Sequence, residues 1–138
     1  MYVLDSNVFA SIIVKDEFYE KAKNFTTKHS NLVTVDLAFV EVANVLWKHV
    51  YVLARIPEDK YKILRDEIKS LILNATEVIY RSTDLLEDSI DNAISYGITV
   101  YDSLYVTLAL NTNSKLISFD EDLREKLKNQ KLNIILLP

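Results

Sequence analysis

The sequence predicts an α/β protein, a central parallel sheet with helices on both faces. Three observations carry that prediction. Short runs suited to buried strands, Tyr2 to Leu4, Leu32 to Val35 and Lys115 to Phe119, alternate with longer helical stretches, the pattern of strands joined by crossover helices. The intervening stretches place apolar residues at helical spacing, as in Leu85, Leu86, Ile90, Ala93 and Ile94. Acids follow two of the strand runs directly, Asp5 after Leu4 and Asp120 after Phe119, and open α/β sheets bind ligands at the carboxyl ends of their strands.

The elements follow in order. Tyr2 to Leu4 is the first strand and Ser6 to Val14 the first helix, with Asp5, Ser6 or Asn7 available as its N-cap. Asp16 to His29 is a second, mostly polar helix, and Leu32 to Val35 the second strand. Asp36 caps a long helix running to about Ala54, whose apolar positions cover so much of its circumference that burial on more than one side is expected. Pro57 opens the next helix at a favoured early position. Thr76 to Tyr80 is a strand, and Ser82 to Tyr96 an amphipathic helix stopped by Gly97. Tyr101 to Leu110 is a helix, Lys115 to Phe119 a strand, Glu121 to Asn129 a helix and Asn133 to Leu137 a final strand.

Length and composition narrow the classes. A chain of 138 residues is expected to form one domain, residues 1–138, and is long enough to bury a core without staples. It has no cysteine, which excludes disulfides and thiolate chemistry. The first residues do not read as a signal peptide, and the longest apolar stretch, Leu37 to Ala54, is interrupted by Glu41, Asn44, Lys48 and His49. No membrane association is expected, and the cytoplasm is the expected compartment. A net charge of −4 argues against a broad electrostatic binder of nucleic acid but leaves room for an enzyme that meets phosphates through bound metal. With Gly97 the single glycine, there is no phosphate-binding loop and no dinucleotide fingerprint.

Four acids, Asp5, Glu41, Asp102 and Asp120, stand where they can converge around divalent metal. Each has a plainer role to set against that one. Asp5 can be an N-cap. Asp102 can be a first-turn acid favoured by the helix dipole after Thr99. At the last site, Ser118 and Glu121 are expected to form a capping box, which leaves Asp120 spare. Asp122 competes with Asp120, but the strand-end position favours Asp120. Glu41 is hardest to dismiss, because it lies among Phe39, Val40, Val42 and Ala43, and a carboxylate there needs water, a partner or a metal. Asn44, Lys48, Tyr51 and Arg55 follow Glu41 at spacings of three and four, so one helix stripe is expected. It reads either as a solvated seam or as a groove running outward from the acids, in which Lys48 and Arg55, with Tyr51 between them, can meet phosphates. His29 and His49 have no partner at catalytic spacing.

Four segments in this order resemble the PIN-domain family, in particular the VapC-type toxin ribonucleases of toxin–antitoxin pairs. They are Leu4-Asp5-Ser6-Asn7-Val8-Phe9, Val40-Glu41-Val42-Ala43, Tyr101-Asp102-Ser103-Leu104-Tyr105-Val106, and Ser118-Phe119-Asp120 with Leu123. The resemblance implies a three-layer fold with a five-stranded parallel sheet in the order 3-2-1-4-5. It implies that Asp5, Glu41, Asp102 and Asp120 bind Mg²⁺ or Mn²⁺, with Asn7 and Ser118 in support. It also implies cleavage of RNA and a cognate antitoxin. The crowding of Asp120 by Glu121 and Asp122 departs from that pattern. A homodimer is expected from the apolar third helix.

Two other classes compete. Aspartate-based phosphatases need a second Asp where this chain has Asn7, and phosphoacceptor domains need a lysine at a late strand end, where Ser118 or Leu136 stands. A non-catalytic interaction domain of the same fold would have no use for all four acids.

Overall fold

The computed structural model describes residues 1–138. Five strands, β1 (Tyr2–Leu4), β2 (Leu32–Val35), β3 (Val78–Tyr80), β4 (Lys115–Ile117) and β5 (Ile135–Leu136), form one parallel sheet in the order β3-β2-β1-β4-β5. The helices are α1 (Ser6–Val14), α2 (Tyr19–Lys28), α3 (Leu37–Trp47), α4 (Glu58–Ala75), α5 (Leu86–Tyr96), α6 (Val100–Asn111) and α7 (Glu121–Asn129). The α/β class and the strand order are as expected.

Chain direction fixes the layers. From β1 the chain winds outward through β2 to β3, then returns past β1 to β4 and β5. Crossovers between parallel strands are right-handed, so α1 to α4 cover one face and α5 to α7 the other. Contacts agree: α1 packs on α2, α3 and α4, while α6 packs on α5 and lies against β1, β2 and β4. Val3, Leu4, Val33, Val35, Leu116 and Ile117 are all buried, as strands covered on both faces require. In α6, Ser103 to Ala109 is buried without interruption, so its weak amphipathicity reflects a central position.

The strand order reverses between β1 and β4, and there the sheet has its topological switch point. Asp5 N–H donates to the Ile117 carbonyl at 3.0 Å, extending the ladder by one residue past β1. The buried Thr34 hydroxyl donates to the Leu4 carbonyl at 2.8 Å. Backbone groups at the end of β1 are thus satisfied from both neighbouring strands, and the Asp5 side chain is left to other uses.

Several expected details change. The second helix begins at Tyr19 instead of Asp16, because the Asp16 carboxylate accepts bonds from Phe18 N–H and the Ser11 hydroxyl and forms a turn of its own. Asp36 does not cap α3 with its side chain; its carboxylate accepts from Ser82 N–H at 3.0 Å and ties α3 to a single 3₁₀ turn at Ser82–Asp84. The long helix ends at Trp47 and passes into a π-turn at Lys48–Val52, and Ala54 takes a left-handed φ of 51°. Nor is α3 buried on more than one side, for Val40 is 67% and Trp47 53% exposed. On α5, Leu85 and Ala93 face the core while Leu86, Ile90 and Ile94 remain exposed. Strands three, four and five are each shorter than expected, since pairing stops where register partners run out. Gly97 ends α5 with φ 68°, as expected of a C-terminal glycine.

Candidate active site

Asp5 occupies the N-cap position of α1, yet its carboxylate makes no capping bond. Three side chains donate to it instead: Ser118 Oγ to Oδ2 at 2.7 Å, Asn7 Nδ2 to Oδ2 at 3.2 Å and Ser6 Oγ to Oδ1 at 3.3 Å. Asn7 also donates to Ser118 Oγ at 2.9 Å, and its Oδ1 accepts Phe119 N–H at 3.2 Å. Ser118 Oγ accepts Asp120 N–H at 3.0 Å. Its one hydrogen goes to Asp5 and its lone pairs to Asn7 and Asp120, which is all a hydroxyl can offer. These bonds lock the end of β1 to the end of β4, and Asn7 and Ser118 hold Asp5 in place.

The expected capping box between Ser118 and Glu121 does not form. Asp120 is the N-cap of α7, and its Oδ1 accepts Leu123 N–H at 2.9 Å. Both lone pairs of the Ser118 hydroxyl are already taken by Asn7 and Asp120 N–H, and its backbone N–H donates to the Leu136 carbonyl at 3.1 Å, so neither half of the box is left to form. Thr99 Oγ1 caps α6 by accepting Asp102 N–H at 3.2 Å, so the Asp102 carboxyl is not needed as a cap.

The charges of three acids bear on Asp5, that of Asp102 on Glu41 and that of Asp120 on Asp102. Burial pushes the Asp5 carboxyl up to about 7, the Ser118 bond opposes this, and the charges of Glu41, Asp102 and Asp120 add to it. Glu41 is raised by burial, lowered by bonds from Tyr105 and Ser6, and raised again by Asp102. Asp102 is raised by burial and by Asp120, with Thr99 and Lys126 opposing. Asp122 is exposed and is not among the charges acting on Asp5, Glu41 or Asp102.

Two contributors escaped the sequence reading. Tyr105 is buried, and its hydroxyl donates to Glu41 Oε1 at 2.6 Å. Burial and the Glu41 charge raise its own pKa, so it stays a donor. The signal was its position three residues after Asp102, on the same side of one helix. Lys126 of α7 is the one cation acting on Asp102. On the Glu41 stripe, Glu41 and Asn44 line one cavity, Tyr51 a second and Arg55 a third. Lys48 is exposed at the start of the π-turn.

The donor set is entirely oxygen and anionic, which suits a hard divalent cation. No three Asp, Glu or His side chains stand close enough to enclose an ion by themselves. An ion such as Mg²⁺ needs no such cage, because it keeps several waters and takes one or two carboxylates together with substrate phosphate. The residues present therefore fit a cation that is completed by solvent and substrate.

A parallel sheet in this order, with acids from β1, α3, α6 and the β4–α7 junction gathered at its switch point, defines an α/β class built around a carboxylate cluster. The chain belongs to the PIN-domain family, whose pattern matches residues 2–128. It is 35% identical to Ribonuclease VapC3 of Pyrobaculum aerophilum over 130 residues, 90% of this chain and 92% of that protein. Its fold is shared with the crystal structure of PAE2754, also from Pyrobaculum aerophilum, at a TM-score of 0.72, with 18% identity over 99% of this chain and 87% of that one. It is shared too with VapBC2 of Rickettsia felis, crystallised on a DNA fragment from its promoter, at a TM-score of 0.58, with 16% identity over 99% of this chain and 96% of that one.

The Tyr105 bond predicts the behaviour of Tyr105→Phe. Glu41 loses a donor, stability falls by about 1–3 kcal/mol, and the Glu41 pKa rises further because that bond lowers it. Urea unfolding and an NMR titration of the Glu41 carboxyl carbon check both; an unmoved Glu41 would show that the bond is idle.

The crowding predicts a pH dependence for the metal-free protein. The Asp5 pKa is raised from 3.8 to about 7 on folding, so its contribution is present in full below 3.8, declines as pH rises and is gone once pH has passed about 7. At about 1.4 kcal/mol per unit, the loss is on the order of 4 kcal/mol. In chelator, the melting temperature should therefore fall between pH 5 and 8, and Asp102→Asn should melt above the parent at pH 8. A parent that melts higher at pH 8 would mean the acids are not crowded.

Proposed function

We propose that this protein is a metal-dependent endoribonuclease, the toxin of a toxin–antitoxin pair, acting through Asp5, Glu41, Asp102 and Asp120 with Mg²⁺ or Mn²⁺. The observation that carries this reading is the buried Asp5 at the switch point, pushed up to about 7 and in range of three further acids. Similarity to Ribonuclease VapC3 over most of both chains supports the substrate class. The whole chain, 1–138, is taken as one working unit.

The residues divide the work. Bound metal would polarise a phosphoryl oxygen, lower the pKa of water and stabilise the leaving oxygen. One or two of Asp5, Glu41, Asp102 and Asp120 would hold it directly and the others through its waters. Ser118, Asn7 and Ser6 aim the Asp5 oxygens, and Tyr105 occupies Glu41 Oε1 and fixes that carboxylate's rotation. Four acids repel a phosphodiester, so RNA binds only once their charge is offset. Lys48 and Arg55 are proposed to meet backbone phosphates outside the acids, with Tyr51 beside them.

The partners are RNA, a cognate antitoxin and a second copy of the chain. Exposed Leu86, Ile90 and Ile94 form one stripe on α5 at spacings of four, an apolar surface suited to a homodimer interface. Sedimentation at micromolar concentration tests the dimer; a monomer there removes it. No single helix is long and apolar enough to cross a membrane, and the cytoplasm is the proposed compartment.

The central test is RNA cleavage with Mn²⁺ or with chelator. Asp5→Asn and Asp102→Asn should each lose at least a hundredfold in rate, the size expected when a group stabilising transition-state charge is removed, with circular dichroism unchanged. Full activity in either variant would remove that residue from the ligand set, and cleavage in chelator would remove the metal. Manganese at 100 times its dissociation constant should add about 2.7 kcal/mol to the parent's stability and little to Asp102→Asn. Replacing Lys48 and Arg55 together by alanine should weaken many RNAs alike and flatten the salt dependence by about 0.7 per lost contact. An unchanged slope would mark the stripe as a solvated seam.

A further inference from the structure

A cavity of about 380 Å³ opens beside the acids, walled by Ser6, Val40, Glu41, Asn44 and Tyr101 among others. It shares Ser6 and Glu41 with the acid cluster, so whatever fills it adjoins the reacting phosphate. Tyr101 directly precedes Asp102 in the first turn of α6, so one helix turn brings a ring to the cavity and a carboxylate to the cluster.

The walls select the occupant. No lysine or arginine lines this cavity, and Glu41 does, so an anionic group is repelled. Leu37, Val40 and Val45 make the surface largely apolar. The Tyr101 side chain is 63% exposed, so its ring is available to stack on a ligand. Asn44 is exposed too and offers both a carbonyl acceptor and an amide donor. A neutral, flat ligand with polar edges meets all four conditions, and the part of an RNA chain with that chemistry is the base.

We propose that this cavity is a nucleobase subsite, in which Tyr101 stacks on the base next to the phosphate held at the acids and Asn44 bonds its edge. The inference rests on the ribonuclease reading and deepens it: the base is chosen by α3 and α6, and the acids act on the phosphate that follows. Aromatic stacking of this kind tolerates every base, while the Asn44 amide introduces a preference among them.

The test uses the full chain, Mg²⁺ and ligands that carry no phosphodiester to cut. The four nucleoside 5′-monophosphates are titrated against ribose 5-phosphate, reading the Asn44 side-chain amide and the Tyr101 ring by NMR. At least one nucleotide should bind about 5- to 150-fold more tightly than the sugar phosphate, the range measured for one base–aromatic stack. Tyr101→Ala should bring nucleotides to the level of ribose 5-phosphate, Tyr101→Phe should restore the difference, and Asn44→Asp should reorder the four nucleotides. In RNA cleavage, Tyr101→Ala should raise KM more than it lowers kcat. Equal binding of nucleotide and sugar phosphate, or a nucleotide advantage left unchanged in Tyr101→Ala, overturns the subsite. RNA cleavage together with equal binding of nucleotide and sugar phosphate leaves the ribonuclease reading standing and removes the subsite; a nucleotide advantage lost in Tyr101→Ala, in a protein that cuts no RNA, does the reverse.

Discussion

Everything in this structure answers to one buried carboxylate. Asp5 stands at the end of the central strand, only 6% exposed, where water cannot solvate its charge. Burial of an ionised group is costly unless donors or an opposite charge compensate. The switch point supplies donors from both directions: Ser6 and Asn7 from the start of α1, Ser118 from the end of β4. The same bonds join β1 to β4 beyond their backbone ladder, so the most strained electrostatic position is also a mechanical junction. A parallel sheet whose order reverses there is what brings the two strand ends side by side.

The donors around the acids are neutral. Hydroxyls from Ser6, Ser118 and Tyr105 and the Asn7 amide orient the Asp5 and Glu41 oxygens without cancelling their charge. An arginine or lysine in the same positions would form an ion pair, depress the pKa values and close the site. No salt bridge in the protein involves Asp5, Glu41, Asp102 or Asp120. Lys126 acts on Asp102 from α7 without forming an ion pair. The acids consequently remain charge-hungry, as a cation site must, and Asp5, raised to about 7, is an acid whose ionisation an arriving positive charge favours.

Much of this was legible in the chain. Strands appear where short apolar runs predict them, since a buried parallel strand needs nothing more than such a run. The acids at Asp5 and Asp120 were visible because each interrupts a strand-to-helix passage, and Asp102 through the family-like segment Tyr101 to Val106, since its place after Thr99 argued only for a first-turn acid. Long-range choices were not legible. A capping box from Ser118 to Glu121 looks local, yet folding gives the Ser118 N–H to Leu136 and its hydroxyl hydrogen to Asp5, 113 residues away. Asp36 likewise serves Ser82 in place of its own helix. Tyr105 is a core aromatic by burial, and its part in the site lies in a single hydroxyl.

The course of α3 has a different physical cause. Spacings of three and four keep side chains on one face only while the helix keeps its phase. The π-turn at Lys48–Val52 closes with Leu53 N–H on the Lys48 carbonyl at 2.8 Å, adding a residue to the turn. One extra residue rotates all that follows by about 100° in a helix of 3.6 residues per turn. That shift parts Tyr51, which stacks on Trp47 at 5.7 Å, from the cavity of Glu41 and Asn44, while Arg55 lies beyond Ala54, whose left-handed φ has already ended the helix. The turn thereby confines the acid's own face of α3 to its first two turns, and the aromatic face beyond it is left for contacts of another kind.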